Sequence, residues 1–509
     1  MTGAVSSGPV GPPELGIRAG HHHGVAPASH FRTPRSFEEW PGRKVVTRGY
    51  PPAVTIRSTP IDVLFVNWRD IAHPEGGGSE RYVQRIAEGL AAAGLHVGMF
   101  CAAHDRAPAD EVVEGVHIVR RGGRLGVYPR ALLHVLRSRP SLVVDVQNGL
   151  PFGSTLVTRR PVVNLVHHVH REQWPIVFGR IGGAIGWWLE SVVAPRLYRR
   201  SRYVTVSTAT ATELVELGVD AERLSVVRNG VEPTPLVSSS RSARPRLVVL
   251  GRLVPHKQVE HAIEVLARLL PRRPDLRLSI VGEGWWEDEL RTAADRYGVT
   301  DAVDFLGYLD EQAKHEELAR AWVQLCPSVK EGWGLVVTEA GAHHVPTVGY
   351  RSAGGLRESV LDGRTGVLVD DVDEMTEAVD ALLSDEWTRR DMGAAAARHA
   401  AAYSWPASIR GFAAVLSAAV RDSAVAVHQD VDLPLVGMLD RCGVGVDGRL
   451  DTQHGSDSQR RPTTERDENS DERLHSGTLF RKGRRRSVTV EGNVVIHNSA
   501  PTTVPSAQA

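Results

Sequence analysis

The sequence predicts an α/β protein with two domains in series. Its 509 residues are too many for one hydrophobic core, so two or more domains are expected. Short apolar runs, typical of strands buried on both faces, alternate with segments of helical periodicity. The alternation starts at Ile61–Val66 and restarts at residues 246–250, and each time a loop leads from the strand into a helix. Two α/β domains that each open with strand, loop and helix follow from this pattern.

The bulk composition favours a cytoplasmic protein without a nucleic-acid partner. Lys+Arg and Asp+Glu both number 60, so net charge gives no reason to expect nucleic acid. Cys101, Cys326 and Cys442 are widely spaced, which indicates neither a zinc site nor a disulfide framework. We expect no membrane span, because no apolar run reaches the required length, and no export, because the N-terminus lacks a basic-then-apolar pattern.

Shifts in composition set the expected domain boundaries. The N-terminal stretch is rich in Gly, Pro, Ser and His, and the C-terminal stretch is polar with a basic run at residues 481–486. Both are expected to be disordered. The resulting order is a tail at 1–58, an N-terminal domain at 59–231, a linker at 232–244, a C-terminal domain at 245–402, a helix that returns to the N-terminal domain at 403–420, and a tail at 421–509.

In the first domain, a glycine-rich loop, Gly76–Gly78, follows the opening strand. The next segment has helical apolar spacing and ends at Gly94, and later strands are predicted at 142–146, 162–166 and 203–207. In an open α/β fold this loop lies at the carboxyl edge of the sheet, where ligands bind. Its glycines do not follow G-x-G-x-x-G, so a dinucleotide and a dehydrogenase are disfavoured.

In the second domain, the loop G-R-L-V-P-H-K at 251–257 follows the first strand and precedes a helix. Arg252 and Lys257 suit a diphosphate, because arginine binds phosphate oxygens in a fork and lysine acts as a point charge. Further strands are predicted at 276–282, 303–307, 323–326 and 346–350.

Residues 331–339 read E-G-W-G-L-V-V-T-E, with two carboxylates eight positions apart and two glycines just ahead of a predicted helix. Glycines at a helix start let backbone N–H groups approach an anion. A carboxylate suits hydroxyl groups, because it accepts hydrogen bonds and repels phosphate. The stretch therefore suits a sugar or ribose joined to a phosphate. From spacing alone, a capped helix with two solvated glutamates is the alternative.

Taken in order, these motifs resemble those of the retaining family-4 glycosyltransferases with the GT-B fold, from Ile61 to about Val420. The resemblance implies two Rossmann-like domains facing each other across a cleft, with the N-terminal domain on the acceptor side and the C-terminal domain binding the nucleotide sugar. The motifs that carry it include P-E-G-G-G-S-E-R-Y-V at 74–83, V-H-H-V-H at 166–170, G-R-L-V-P-H-K at 251–257 and P-S-V-K-E-G-W-G-L-V-V-T-E-A at 327–340.

The resemblance also implies roles for single residues. By this resemblance, Glu331 binds the donor sugar and Glu339 binds the ribose. Arg252 and Lys257 bind the diphosphate. The family's histidine that contacts the donor sugar near the reacting carbon corresponds to His167, with His168 as runner-up. The backbone around Gly307 is expected to border the nucleobase. The implied catalytic set is Arg252, Lys257, Glu331 and His167, and the implied donor-binding set is Gly76, Gly77, Gly78, Arg252, Lys257, Gly307, Tyr308, Glu331, Gly332, Gly334, Leu335 and Glu339.

The implied activity is metal-independent, retaining transfer of a hexose, such as mannose or glucose, from a nucleotide-diphosphate sugar to a glycan, lipid or small-molecule acceptor. No cofactor is implied. Asp371-Val372-Asp373 is better interpreted as a helix N-cap region than as a metal site. A catalytically silent GT-B scaffold and a GT-B epimerase or phosphorylase are the alternatives, and the intact set of Arg252, Lys257 and both glutamates argues against the scaffold.

Two further features bear on geometry and location. Gln258 and His344 stand where the family often or usually has glycine, and His344 carries a conformational cost if its φ is positive. Residues 178–203 combine Trp187 and Trp188 with several arginines, which suits the inner face of a membrane. A core helix with a basic end is the alternative for that segment.

Overall fold

The computed structural model describes residues 60–427, 432–442, 488–491 and 494–497. The expected tail at 1–58 and the basic run at 481–486 lie outside these residues.

The first domain is a largely parallel sheet with helices packed on its faces. In chain order its elements are β1 Val63–Val66, α1 Gly78–Ala92, β2 Val97–Cys101, β3 Asp110–Val113, β4 Val116–Arg120, α2 Val127–Ser138, β5 Leu142–Gln147, β6 Val162–Val166, α3 Gln173–Trp188, α4 Ala194–Leu197, β7 Arg202–Thr205, α5 Thr208–Glu216 and β8 Leu224–Val227. A π-helical turn, Leu189–Val193, joins α3 to α4. The loop after β1 carries the three glycines, and Gly94 follows α1 with φ +96°, as its prediction as a helix end requires.

The second domain repeats the plan with a six-stranded parallel sheet. Its elements are β9 Arg246–Leu250, α6 Val259–Leu269, β10 Arg277–Val281, α7 Glu287–Tyr297, β11 Val303–Gly307, α8 Glu311–Arg320, β12 Val323–Cys326, α9 Leu335–Ala342, β13 Thr347–Tyr350, α10 Leu356–Ser359, β14 Gly366–Val369, α11 Val372–Ser384 and α12 Glu386–Ala401. The strand order is β11-β10-β9-β12-β13-β14. The order reverses direction between β9 and β12, so the loops after these two strands open into one crevice. The predicted class of two α/β domains is confirmed.

The chain then returns to the first domain through α13, Trp405–Val427. Phe412 and Leu416 of this helix are fully buried in the core that α1 and the first sheet form. The approach to α1 is close, because a Cβ atom on Gly89 would lie 2.3 Å from the Ile409 side chain. Helix α13 therefore joins the two domains at the end of the fold.

The expectation for residues 421–509 needs correction. Helix α13 continues to Val427, and α14, Leu433–Arg441, places Leu435 and Leu439 in the core of the first domain. Two further strands, β15 Val488–Glu491 and β16 Val494–His497, extend the sheet, which has the order β15-β16-β8-β7-β6-β5-β1-β2-β4-β3. The polar composition of this region hid a short apolar face at helical spacing, which is enough to dock α14.

The expectation that no apolar run could span a membrane is also wrong for one segment. Within the part of the chain that the structure describes, Gln173–Leu197 is a helix with the length and composition of a span. Length and composition alone do not separate a span from a soluble helix. Only 17% of its apolar window is buried, so it is not a core helix of this domain, contrary to the alternative considered for it. Ile181 is 80% exposed and Ile185 56% exposed.

The exposed helix is anchored at both ends and bent near its start. Gly179 has φ +67°, which interrupts the regular helix. Trp174 is buried, and its Nε1 donates a hydrogen bond of 2.6 Å to Glu190 in the π-helical turn. The segment therefore lies along the surface of the first domain with its apolar side chains in solvent.

Candidate active site

Loops from both domains meet where the two sheets present their carboxyl edges. A Cβ atom on Gly332 would lie 2.4 Å from the backbone oxygen of His167, so only glycine allows this contact between the domains. A Cβ atom on Gly78 would lie 3.1 Å from the Leu335 side chain. The glycine-rich loop, the histidine motif and the start of α9 are thus brought together.

The first carboxylate of the E-x7-E motif is paired with the loop lysine. Lys257 donates its Nζ hydrogen bond to Oε1 of Glu331, and the two side chains are 20% and 12% exposed. Burial raises the pKa of Glu331, but the charge and hydrogen bond of Lys257 outweigh burial and leave the pKa below its ordinary value. Glu331 is therefore an ionised carboxylate beside a cation, in a site largely closed to water.

Arg252 reaches across the cleft to the glycine-rich loop. Its Nη1 donates to the backbone oxygen of Glu75 at 3.3 Å, and its Nε would lie 3.3 Å from a Cβ atom on Gly77. The two cations predicted for a diphosphate therefore come from one loop of the second domain, and one of them contacts the first domain. Such an arrangement can bind a dianion between the domains.

A buried carboxylate that the sequence analysis did not single out holds the glycine-rich loop. Oε2 of Glu80 accepts from the backbone N–H of Gly77 at 2.8 Å, and Oε1 accepts from Nε of Arg69 at 3.2 Å. Burial raises the pKa of Glu80, but Arg69 and Arg252 lower it to about 2. The three-residue spacing from Gly77 to Glu80 is that of a capping box, a signal that could have found it.

The second carboxylate of the motif is also paired with a lysine. Gly334 has φ +89° and leads directly into α9, where Glu339 is 13% exposed in its side chain. Oε1 of Glu339 accepts from Nζ of Lys314, in α8, at 2.7 Å. The sequence analysis missed Lys314, because nothing in its spacing relates it to the motif.

Gly307 and Tyr308 lie at the end of β11, the edge strand of the second sheet and two strands from β9. Gly307 has φ +64°, and the N–H of Tyr308 donates to Oε1 of Glu283 at 3.3 Å. The Tyr308 side chain is 68% exposed. These residues form the outer end of the crevice, and their assignment to a nucleobase stays a prediction.

The two candidate histidines differ in their hydrogen bonds. Nε2 of His167 is buried and has no hydrogen-bond partner among the residues that the structure describes. Burial lowers the pKa of His167 to about 4, so the ring is neutral near pH 7. Nε2 of His168 lies 3.3 Å from Oε1 of Gln173. His167 therefore has hydrogen-bonding capacity for a ligand, whereas His168 already contacts Gln173.

Glu190, a residue that the sequence analysis passed over, organises the end of the histidine motif. It accepts from the backbone N–H of His170 and from Nε1 of Trp174, and its Oε1 lies 2.9 Å from Nδ1 of His170. The carboxylate stands in the π-helical turn at the end of α3. The cleft and the exposed helix therefore share one buried anchor.

Three expectations about local backbone can be compared with the structure. Asp371 accepts a hydrogen bond from the N–H of Glu374 at 2.9 Å, which confirms it as an N-cap. Gln258 has φ +47° and His344 has φ +59°, so both non-glycine departures occupy left-handed backbone. Among the described residues, no group of three or more His, Cys, Asp or Glu side chains could hold a metal ion.

Two family models match the chain. The model described as glycosyl transferases group 1 matches residues 237–399, and the model described as glycosyltransferase family 4 matches residues 76–234. The first match covers the sheet with the E-x7-E motif, and the second covers the glycine-rich loop and strands β2 to β8 of the other sheet.

Individual proteins resemble the chain over both domains or over part of it. A D-inositol 3-phosphate glycosyltransferase of Stackebrandtia nassauensis is 31% identical, over 65% of this chain and 84% of that protein. A GDP-mannose-dependent alpha-(1-6)-phosphatidylinositol monomannoside mannosyltransferase of Mycolicibacterium smegmatis is 36% identical, over 42% of this chain and 58% of that protein. The solved structure of Anabaena HepE with UDP-glucose has a TM-score of 0.56 at 18% identity, covering 70% of this chain and 100% of that one.

Proposed function

The chain belongs to the glycosyl transferases of group 1, with the GT-B fold, and from that premise we propose that it transfers a hexose from a nucleotide-diphosphate sugar with retention of configuration. The observation that carries the proposal is the largely buried pair of Lys257 and Glu331 beside Arg252. It combines a carboxylate for sugar hydroxyls with two cations for a diphosphate, at the point where the strand order of the second sheet reverses.

The leaving group determines what the cations do. The bond between the anomeric carbon and a phosphate oxygen breaks, and its electron pair goes to the diphosphate. Arg252 and Lys257 stabilise the negative charge that grows there, so we propose that protein cations suffice for this step without a metal ion. Fixed charges aimed at developing charge are commonly the largest single contribution to catalysis.

Retention follows if the acceptor attacks on the face that the diphosphate leaves. The acceptor oxygen then forms the new bond to the anomeric carbon, and its proton passes to a phosphate oxygen. Glu331 binds sugar hydroxyls in this scheme and does not act as a nucleophile. Its pairing with Lys257 supports that role, because a carboxylate held by a cation is a weaker nucleophile. His167 supplies a neutral hydrogen bond to the donor sugar.

The relatives support a hexose as the transferred sugar. The mannosyltransferase uses GDP-mannose, and HepE is solved with UDP-glucose. We therefore propose mannose or glucose as the sugar, with UDP or GDP as the nucleotide. The names of the relatives include a phosphorylated inositol and a phosphatidylinositol mannoside as acceptors, which supports a lipid-linked, glycan or small polyol acceptor.

Helix α3 supports a position at the inner face of a membrane in the cytoplasm. Its exposed apolar side chains include Phe178, Ile181 and Ile185. Exposed arginines lie along the same segment, among them Arg180 and Arg196. An apolar helix face with flanking basic residues binds anionic lipid through both burial and charge.

The membrane contact can be tested by sedimentation with anionic vesicles at low salt. We expect the wild-type protein to sediment and the variant Ile181→Ser/Ile185→Ser to stay in solution. Leu433→Ser is the matched control, because Leu433 is an apolar residue, 71% exposed, on a different helix, α14. Wild-type protein that does not sediment contradicts the membrane contact and leaves the transferase proposal intact.

The transferase proposal is tested by donor screening. Thermal shift and donor hydrolysis are measured across UDP-sugars and GDP-sugars, followed by transfer to polyol, glycan and lipid acceptors. We expect stabilisation and turnover with sugars of one nucleotide, and loss of turnover in Lys257→Met. Binding without turnover for every donor and acceptor would favour the silent scaffold. No binding of any nucleotide sugar would contradict the proposal.

A further inference from the structure

Four charged side chains connect the candidate ribose ligand in one domain to a helix of the other. Nζ of Lys314 donates to Oε1 of Glu339 at 2.7 Å and to Oε2 of Glu311 at 2.8 Å. Oε1 of Glu311 accepts from Nη2 of Arg81 at 2.5 Å. Arg81 stands in the first turn of α1, directly after the glycine-rich loop. The series Glu339–Lys314–Glu311–Arg81 therefore crosses the cleft.

The inner and outer halves of this series differ in burial. The side chains of Lys314 and Glu339 are 9% and 13% exposed, whereas those of Arg81 and Glu311 are 27% and 49% exposed. Removing one partner of a buried pair leaves an uncompensated charge. A partly exposed pair contributes little to folding stability by itself. Any functional effect of the outer pair must therefore be sought in ligand binding.

The chemistry of the inner pair suits a ribose. An ionised carboxylate accepts through two oxygens, and the two hydroxyls of a ribose are donors. The hydrogen bond from Lys314 uses one acceptor site on Oε1 of Glu339. It keeps the carboxylate beside a cation and restricts its rotation. The remaining acceptor sites of Glu339 are then presented in a defined direction.

We propose that Lys314 positions Glu339 for the ribose of the donor, and that the Arg81–Glu311 pair couples ribose binding to the contact between the two domains. The inference rests on the proposed function, because it takes a nucleotide as the ligand. The coupling arises because Glu311 and Glu339 share one lysine. Hydroxyl groups that bind Glu339 change how strongly Lys314 holds Glu311, and by linkage the domain contact changes the affinity for the nucleotide.

The Arg81–Glu311 pair also lies in a network of charges that favours the ionised form of both side chains. Burial raises the pKa of Glu311, but hydrogen bonds and charges from Arg81 and Lys314 lower it to about 2. Glu339 contributes to the raised pKa of Arg81, although Lys314 and Glu311 lie between them. The four groups therefore act on one another across the cleft at neutral pH.

The positioning role is tested by calorimetry with UDP, GDP and their 2′-deoxy forms. We expect wild-type protein to bind the ribonucleotide about tenfold more tightly than the deoxy form, as for a hydrogen bond to a charged group. The ratio of the two affinities, ribonucleotide over deoxy form, should approach one in Lys314→Met and in Glu339→Gln. Lys314→Arg should retain most of the wild-type ratio. Circular dichroism checks that each variant is folded. A folded Lys314→Met or Lys314→Gln protein with the wild-type ratio would overturn the positioning role.

The coupling is tested with the outer pair. Arg81→Ala and Glu311→Ala should each raise the nucleotide dissociation constant about fivefold, and the double variant should be no worse than either single variant. Arg85→Ala is the matched control. Arg85 lies one turn further along α1 and pairs with Glu88 and Glu232 instead. If Arg81→Ala behaves like Arg85→Ala, or if the single effects add, the coupling is wrong.

The outcomes separate this inference from the proposed function. Wild-type protein that binds neither nucleotide contradicts both. Wild-type protein that binds a nucleotide but transfers no sugar contradicts the transferase proposal alone, since the binding ratio still tests Lys314. Normal transfer with an unchanged ratio in Lys314→Met contradicts this inference alone.

Discussion

The two faces of the cleft are built from different chemistry. On the face of the second domain, each glutamate of the E-x7-E motif is paired with its own lysine, Glu331 with Lys257 and Glu339 with Lys314. On the face of the first domain, the backbone of His167 approaches the motif at Gly332, and the His167 ring is neutral with an open hydrogen-bonding nitrogen within the described structure.

The contrast continues away from the cleft. Beside the histidine motif the first domain carries α3, a helix with its apolar side chains in solvent. The second domain has no comparable helix among its described residues. The difference indicates a division of work. We propose that the lysine-paired glutamates of the second domain serve a charged donor. The first domain also carries buried charges, at Glu80 and Arg69, but its histidine motif and α3 add neutral and apolar surface that suits a larger, less charged acceptor.

The largest expected effect comes from breaking the charged face. Lys257→Met and Glu331→Gln should each lower the rate of transfer at least a hundredfold, because each removes a group that we propose to contact the diphosphate or the sugar. Loss of one fixed charge-stabilising group costs about 3 kcal/mol in comparable sites. The measurement is steady-state kinetics with the donor identified by screening.

The control for this prediction separates activity from folding. Because the pair is mostly buried, a single variant leaves an uncompensated charge, and the double variant Lys257→Met/Glu331→Gln removes both. We expect the double variant to melt close to the wild-type temperature and to remain inactive. Turnover near the wild-type rate in any folded variant would mean that the site is assigned wrongly.

A smaller effect is expected on the neutral face. His167→Phe keeps an aromatic ring in contact with Tyr82 and removes the one neutral hydrogen bond that we propose His167 makes to the sugar. A single neutral hydrogen bond contributes about 1 kcal/mol, so transfer should fall about fivefold, well short of the loss at Lys257. The measurement is kcat/KM for the donor with the acceptor held saturating.

The neighbouring histidine is the internal control. His168→Ala should change donor kinetics less than His167→Phe, because Nε2 of His168 already lies within hydrogen-bond distance of Gln173. A larger loss of kcat/KM in His168→Ala would indicate that His168, and not His167, contacts the sugar. A hundredfold loss at His167 would contradict the division of work between the two faces.

The sequence predicts the parts of this molecule in which local pattern and tertiary packing agree. Strands β9 and β12 match their predicted residues, because both are apolar runs buried within a parallel sheet. Strands β3, β4 and β8 were not predicted. In β3 exposed residues alternate with half-buried ones at the sheet edge, so it carries no apolar run. The same reasoning missed α14, whose apolar face is short.

For the site, sequence reasoning finds residues that share a motif and misses those that packing brings together. Glu331, Glu339, Arg252 and Lys257 stand in motifs with recognisable spacing. Lys314 is 25 residues away from its partner Glu339 along the chain, and only the packing of α8 against α9 reveals the contact. The exposure of α3 was equally hidden, since an apolar helix in a core has the same composition.

The smallest expected effect concerns the backbone of the second domain. It tests whether left-handed backbone conformations, as well as fixed charges, hold the site in position. Gln258 directly follows the donor lysine and has φ +47°, and His344 has φ +59° in the turn after α9. A left-handed conformation costs a non-glycine residue about 1–2 kcal/mol, and substitution by glycine removes this cost. Glycine also increases the entropy of the unfolded chain, which offsets part of the stability gained. Glycine at either position should therefore raise stability by about 0.5 kcal/mol, measured as a shift in the denaturant midpoint.

The two glycine variants should differ in activity although they are alike in stability. His344 stands in the turn after α9, not in the loop that carries Lys257, so His344→Gly should leave donor kinetics unchanged. Gln258→Gly frees the residue next to Lys257, so the lysine loses part of its fixed direction, and the donor KM should rise about twofold. Gln258→Ala and His344→Ala are controls that keep the strain and should give no gain in stability. If Gln258→Gly raises stability and leaves the donor KM unchanged, then the pairing with Glu331 alone holds Lys257, and the backbone adds nothing to the charged face.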